Sequence, residues 1–355
     1  MKILHTADLH LGSAMNTKLS PEKIKERRVE LFTTFENMAT HADIHGAKLF
    51  IIAGDLFDTK RLTSRDIERV IGIIAAHPKT DFLYLSGNHE KNALVESGRQ
   101  LPENLKLFGK DWTYYNYGEL TVAGRSELSP DMFNTLSVVP TEKTIVVLHG
   151  AVGDRSDENT VGLREAKERG IDYVALGHYH SYGTYEVDDR CTAVYSGTPE
   201  GRGFDECGRK GYVIIDTDGR RVSHRFYPIA KRTIHLAQVD ISYLSSRGEI
   251  QDAVAEGLRE IPSTDIVRVV LTGRRPQSLF PDREQISARY KDSFYYFEIK
   301  DDSRTEIDPE AFKYDKSLKG EFIRLCIGDT TISDEDREDI IRTGICALLG
   351  EDIEI

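Results

Sequence analysis

Five short stretches of the chain place groups that could hold metal ions directly after apolar runs. They are "TADLHLG" with Asp8 and His10, "IAGDLFD" with Asp55, "LSGNHEK" with Asn88 and His89, "VVLHGAV" with His149, and "ALGHYHS" with His178 and His180. Two carboxylates, several imidazoles and one amide carbonyl make a mixed oxygen and nitrogen donor set. Such a set suits manganese, iron or zinc better than calcium, which wants oxygen alone, and better than thiolate-bound metals. In both D-x-H and H-x-H, a period of two on an extended chain would bring the two side chains to the same side. Each motif alone is weak, because a single His after a strand is more often a satisfied polar residue than a ligand. Five of them in this order, each at a strand exit with Gly close by, form a strong signal.

The elements around these stretches would bring them together. "KILHTA" (2–7), "KLFIIAG" (48–54) and "FLYLSG" (82–87) read as strands, the second buried on both faces. Between them, residues 21–45 carry a helical stripe of Leu31, Phe35, Met38 and Ala42, with Pro21 at the start and Gly46 closing. A second helix is expected over about 64–76, before Pro78. From 112 to 231 short strand-like runs dominate, among them "TIVVLHG", "YVALGH" and "GYVIID", with one helix at about 163–169. Alternating α/β units followed by many strands predict two sheets packed face to face with helices outside. The carboxyl ends of strands in α/β sheets face one crevice, so distant motifs can converge there.

After "AKR" (230–232) the pattern restarts, and a domain boundary is expected near residue 231. Residues 232–300 alternate strand and helix as a smaller α/β module. Residues 301–355 read as a helical segment, its last helix starting from a Ser333/Asp336 capping box. Ile340, Ile341, Ile345, Leu348 and Leu349 give that helix an apolar stripe.

Composition narrows the function classes. At 355 residues, 39% hydrophobic and 30% charged, the chain has ample material for a core, and no segment approaches a membrane span. The N-terminus enters a strand without the apolar stretch of a signal peptide, so a cytoplasmic address is expected. Cys191, Cys207, Cys326 and Cys346 are irregularly spaced, which argues against both a zinc ribbon and a disulfide framework. A net charge of −12 does not support binding of a polyanion through overall charge. If the protein works on nucleic acid, bound metal ions or a local basic face would have to hold the phosphates. The runs "RRVSHRF" (220–226), "AKRT" (230–233) and "GRRPQ" (273–277) offer local basic faces, though ordinary solvated strand edges explain each equally well.

Together, D-x-H, G-D-x-x-D, G-N-H-E, H-G and G-H-x-H resemble the motifs of the calcineurin-like metallophosphoesterases. "ILHTADLHLG", "GDLFD" and "LGHYH" narrow the resemblance to DNA-repair exonucleases of the SbcD type, and "GEFIRLCIGD" with "GICALLGED" is similar to the YhaO-like subgroup. Glu90 departs from the Asp of many SbcD-type sequences and agrees with the wider family. The motifs cover residues 1–231; beyond them the resemblance rests on the order of elements. It implies a four-layer α-β-β-α sandwich over 1–231, a smaller C-terminal α/β capping domain that binds DNA over 232–300, and a partner-binding segment over 301–355.

The resemblance also assigns roles. Asp8, His10 and His180 would bind one divalent ion, Asn88, His149 and His178 a second, and Asp55 would bridge. His89 would protonate the leaving oxygen, a task for which an imidazole is poised near neutral pH. Asn88 would bind its ion without adding negative charge against the phosphate. Two such ions, manganese first with iron or zinc as alternatives, would acidify a water for attack on phosphorus. The implied activity is a DNA nuclease, a 3′–5′ exonuclease with some endonuclease capacity, in repair or recombination. An SMC-like ATPase of the SbcC type and a second copy of the chain are the implied partners. The Gly-rich stretch 195–211 lacks the G-K-[ST] of a phosphate loop and reads as a plain loop. By the resemblance it lies near the rim of the site and makes Arg202 a candidate phosphate contact. The motifs specify phosphate chemistry and not the leaving group, so a phosphodiesterase or phosphatase for small esters or cyclic nucleotides is the alternative. A non-catalytic scaffold is disfavoured, because no ligand position is lost.

Overall fold

The computed structural model describes residues 1–355 apart from 16–17, 59–61, 88–92, 277–278, 307–313 and 350–355. Asn88, His89 and Glu90 therefore lie outside the described residues. The chain divides into two compact units, Met1–His235 and Leu236–Ile355.

The first unit begins with β1 (Lys2–Thr6), α1 (Pro21–His45), β2 (Leu49–Ala53), α2 (Ser64–Ala76), β3 (Asp81–Leu85), the single turn α3 (Ala93–Glu96) and β4 (Leu105–Leu107). It continues through β5 (Thr113–Asn116), β6 (Leu120–Gly124), β7 (Lys143–His149), the ribbon β8 (Ala151–Gly153) and β9 (Thr160–Gly162), and the short α4 (Leu163–Ala166). β10 (Tyr173–Gly177), β11 (Gly183–Glu186) and β12 (Thr192–Tyr195) follow, and β13 (Gly211–Asp216) and β14 (Ser223–Pro228) return to the first sheet. One six-stranded sheet runs β14-β13-β1-β2-β3-β4 and the other β11-β12-β10-β7-β6-β5. β1, β2 and β3 are mutually parallel, as are β6, β7 and β10.

Strand periodicity sorts each side chain to a layer. Ile3, Leu49, Ile51 and Leu83 of the first sheet meet Ile145, Val147 and Ala175 of the second in one buried cluster. The alternate residues Leu4, Phe50, Ile52 and Phe82 face Phe35, Met38 and Ile74 of α1 and α2. Each such side chain contributes roughly 1.5–3 kcal/mol by leaving water. On the far face of the second sheet, Val146, Leu148 and Val174 are covered by Met132, Phe133 and Ala166. That outer layer is thin, consisting of a 3₁₀ turn (Met132–Thr135) and the one-turn α4. The result is the α-β-β-α sandwich expected from the sequence. Local signals fix the helix ends: Ser20 accepts from Lys23 N, Gly46 closes α1 in the left-handed region, and a Thr63/Asp66 capping box opens α2.

The second unit is built on a three-stranded sheet, β15 (Ile234–Asp240, of which Leu236–Asp240 belong to this unit), β16 (Ile266–Thr272) and β18 (Tyr296–Asp301). Helices α5 (Arg247–Leu258) and α6 (Arg283–Tyr290) share its core, where Ile250, Val254 and Ile286 meet Val267, Val269 and Phe297. β17 (Arg274–Pro276) and β19 (Arg304–Glu306) form a two-stranded ribbon. Helices α7 (Leu318–Gly328) and α8 (Asp334–Leu349) pair through Ile323, Cys326 and Ile341. Among the described residues, no helix is long and apolar enough to cross a membrane.

Candidate metal centre

The carboxyl ends of β1 and β2 in one sheet, and of β7 and β10 in the other, deliver the site. Asp8 and His10 follow β1, Asp55 follows β2, His149 ends β7, and His178 and His180 follow β10. Beyond the strands the loops remain zipped together: Asp8 N donates to Gly54 O at 3.0 Å, His10 N to Asp55 O at 3.0 Å, and Leu11 N to Leu56 O at 2.9 Å. The backbone N of His178 donates to both carboxylate oxygens of Asp8, at 3.1 and 3.0 Å, which ties the second sheet to the first.

The sequence expectation of extended D-x-H and H-x-H segments is corrected here. Asp8, His10, Asp55 and His178 have φ of 53°, 45°, 50° and 111°, positive values that non-glycine residues rarely adopt. Such strain persists only where the surroundings enforce it, and it clusters at functional sites. The left-handed backbone at these four positions, and not strand alternation, sets the directions of the donors. Neighbouring glycines give the donors room. A Cβ on Gly54 would lie 2.0 Å from His149 Nδ1, and one on Gly87 would lie 2.1 Å from Asp55 Oδ1.

Two donor groups result, each with ligand atoms within 4.8 Å of one another: Asp8, His10 and His180, and Asp8, Asp55 and His149. Asp8 belongs to both. Asp55 Oδ2 stands 3.8 Å from His10 Nε2 and 3.4 Å from His149 Nε2, between the two histidines. His178 joins neither group; its ring centroid lies 5.5 Å from that of His149. Arg202 lies beside His180, with Nη2 3.3 Å from Nδ1, while its guanidinium forks onto Glu206.

The residues present fit cations. His149 Nδ1 lies 2.9 Å from the carbonyl of Ala53, which can only accept, so Nδ1 carries the hydrogen and Nε2 the lone pair. That Nε2 is buried and has no hydrogen-bond partner among the described residues, although Asp55 Oδ2 approaches it. An orphaned buried acceptor among carboxylates is costly unless a positive charge serves them together. In the metal-free chain a proton takes that place. Burial pulls the His149 imidazole down, but the Asp55 and Asp8 carboxylates outweigh it and raise it to about 9. Burial raises the Asp8 carboxyl to about 6 against the pull of His149 and His180. Burial, aided by the Arg202 charge, lowers His10 to about 3, leaving it neutral and ready to ligate. His5, the next-to-last residue of β1, lies in the space between the sheets, with Nδ1 3.0 Å from Tyr173 OH.

Glu206 is a residue that motif reading passes over. It lies in the stretch read as plain loop, is buried, and places Oε1 2.7 Å from His180 Nδ1. Lys210 Nζ donates to the His180 carbonyl at 2.7 Å. Neither residue carries a local signal, since both act across loops.

A family model described as "Calcineurin-like phosphoesterase" matches residues 1–182. The DNA double-strand break repair protein Mre11 of Methanosarcina acetivorans is 27% identical over 281 residues, covering 74% of this chain and 44% of that protein. The chain thus spans less than half the length of that relative. Among solved structures, a dimetal phosphatase from Danio rerio aligns with a TM-score of 0.45 and 10% identity, covering 64% of this chain and 96% of its own. The nuclease MPE of Pseudomonas putida aligns with a TM-score of 0.28 and 13% identity, covering 63% of this chain and 87% of its own.

Proposed function

Because this chain belongs to the calcineurin-like phosphoesterase family, we propose that it is a two-metal phosphodiesterase that cuts DNA at its ends during repair. One observation carries the reading: among the described residues, two donor groups share Asp8, and the buried Nε2 of His149 has no hydrogen-bond partner beside them. Asp8, His10 and His180 would hold an outer ion. Asp55 and His149, with His178 and Asn88, would hold an inner one, and Asp55 would bridge. When bound, two divalent ions, manganese by preference and otherwise iron or zinc, supply an acidified water and neutralise phosphoryl oxygens. His149 keeps its lone pair on Nε2 by donating Nδ1–H to Ala53. His89 would hand a proton to the leaving sugar oxygen.

Three features support DNA over a small ester. The relative of M. acetivorans carries the name of a double-strand break repair protein. A chain of ring contacts leads from His149 through His178 and Tyr179 to Tyr195 and Tyr185, with centroid spacings of 5.5, 5.5, 5.0 and 6.0 Å. Tyr179 and Tyr185 are 47% and 40% exposed, and flat exposed rings beside a phosphate site suit nucleobases. The α/β module after residue 231 would serve as a capping, DNA-binding domain. The 3′–5′ polarity, an endonuclease capacity, a homodimer and a cytoplasmic address complete the proposal. An SMC-like ATPase would dock on α7 and α8, where Leu318, Leu325, Ile340 and Leu348 are exposed.

A manganese-dependent assay on linear and hairpin DNA, run beside a chromogenic phosphodiester, tests the substrate. DNA cleavage is expected; rapid turnover of the small ester with no DNA cleavage would refute it. His89→Ala should abolish turnover with both metals retained, whereas Asp55→Ala should lose metal. Equal metal loss in both variants would refute the division between acid and ligand.

A further inference from the structure

We infer that Glu206 is the positioning residue of the outer metal position and acts through His180, an inference that rests on the two-metal reading above. His180 is the most open of the three histidines in the donor groups: its side chain is 32% exposed, against 7% for His10 and 1% for His149. It also stands on a loop past the end of β10, where nothing in the strand fixes its ring. An exposed imidazole can rotate and can carry its hydrogen on either nitrogen. His180 needs an outside partner to present one nitrogen in one direction.

Glu206 is that partner. Its side chain is 3% exposed, and its Oε1 lies 2.7 Å from His180 Nδ1. A carboxylate only accepts, so Nδ1 carries the hydrogen and Nε2 the lone pair. Arg202 Nη2 also reaches Nδ1, at 3.3 Å, and donation from it would reverse the tautomer. The shorter contact decides, because the same Nη2 is engaged by Glu206 Oε1 at 2.5 Å. His180 Nε2 then presents its lone pair 3.3 Å from His10 Nε2, within the donor group that both rings form with Asp8.

Burying the carboxylate has its own cost, and Arg202 meets it. Its backbone N donates to Glu206 Oε2 at 2.7 Å and its Nε to Oε1 at 3.1 Å. Arg202 thus acts through Glu206. Lys210 and the backbone N of Thr198 both donate to the His180 carbonyl, at 2.7 and 3.3 Å, so the segment from Thr198 to Lys210 grips ring and backbone together. This segment lies outside residues 1–182, which the family model matches. A carboxylate behind a ligating histidine orients the ring and raises its basicity, and its loss typically weakens metal binding about 10–100-fold.

The test is calorimetric titration of the full chain with manganese alone. The variants are Glu206→Gln, Glu206→Ala, His180→Ala and the double variant Glu206→Ala/His180→Ala. The wild type should show two binding events. Glu206→Ala should weaken one of them about 10–100-fold and leave the other unchanged. Glu206→Gln, which preserves shape and an acceptor but not the charge, should fall between. The double variant should bind no more weakly than His180→Ala, since Glu206 has no role once the ring is gone. Circular dichroism of each variant checks that the fold is intact. Wild-type affinity in both Glu206 variants, or additive losses in the double variant, would overturn the inference alone. A wild type that binds no manganese would overturn the two-metal reading and this inference with it.

Discussion

Replacing Gly54 by alanine places a Cβ 2.0 Å from His149 Nδ1, 2.6 Å from Cγ and 2.9 Å from Cε1. Ordinary contact between such atoms is about 3.5 Å, so the ring must retreat by roughly 1.5 Å. That is far more than the ~0.2 Å latitude of a metal–ligand distance. The retreat also breaks the bond from Nδ1 to the Ala53 carbonyl, and leaving that buried pair unmade costs about 1–3 kcal/mol. Gly54 has φ of +95°, and a left-handed conformation at a residue with a Cβ costs roughly 1–2 kcal/mol more. The sum is a destabilisation of about 2–5 kcal/mol, with the inner metal position lost. Gly46→Ala isolates the strain term, since Gly46 has φ of +67° and nothing within 4 Å of the new carbon. It should cost only about 1–2 kcal/mol and leave metal binding untouched. Urea unfolding of the metal-free proteins reads the first quantity, and manganese titration reads the second. Equal stability and equal metal binding in the two variants would refute the close approach of Gly54 to the His149 ring.

Two more outcomes follow from the same geometry. His149 is raised to about 9 in the metal-free chain, so metal must displace its proton, and inner-site affinity should rise about tenfold per pH unit until about pH 9. Calorimetry in two buffers of different ionisation heat detects the released proton; affinity that stays flat from pH 6 to 9 contradicts the assignment. The stability of the metal-free fold should move the opposite way. A folded pKa above 6.5 contributes fully below that pH and is lost as pH rises through 9, and Asp8, raised from 3.8 to about 6, acts with the same sign lower down. Elsewhere, Arg27 is buried against Glu30 and reaches Glu200 Oε2 at 3.0 Å and the Gly201 carbonyl at 2.8 Å. Arg27→Ala strands these carboxylates and should cost about 3–5 kcal/mol in urea unfolding; a loss below about 1 kcal/mol would show that Arg232 and Lys231 suffice for them.

Much of this protein is local and therefore readable along the chain. α2 spans Ser64–Ala76 because Thr63 and Asp66 make a capping box and an apolar stripe lies behind them, all within one short stretch. β2 reads as buried on both faces because every residue from Leu49 to Ala53 is apolar. The candidate donors could be picked out because each follows its own strand, and strand ends in an α/β sheet share one edge. Residue type alone then selected the class of ion. What depends on contacts between distant segments could not be read. The left-handed backbone of Asp8, His10 and Asp55 comes from the zipping of the β1 and β2 loops. The tautomer of His149 comes from the Ala53 carbonyl of the other sheet. Glu206 reaches His180, and Arg27 reaches Glu200, across loops with no pattern between them. A donor's identity and its strand exit are properties of a few consecutive residues, so the sequence determined them. The direction in which each lone pair points depends on what packs behind the ring, and only the tertiary structure decided that.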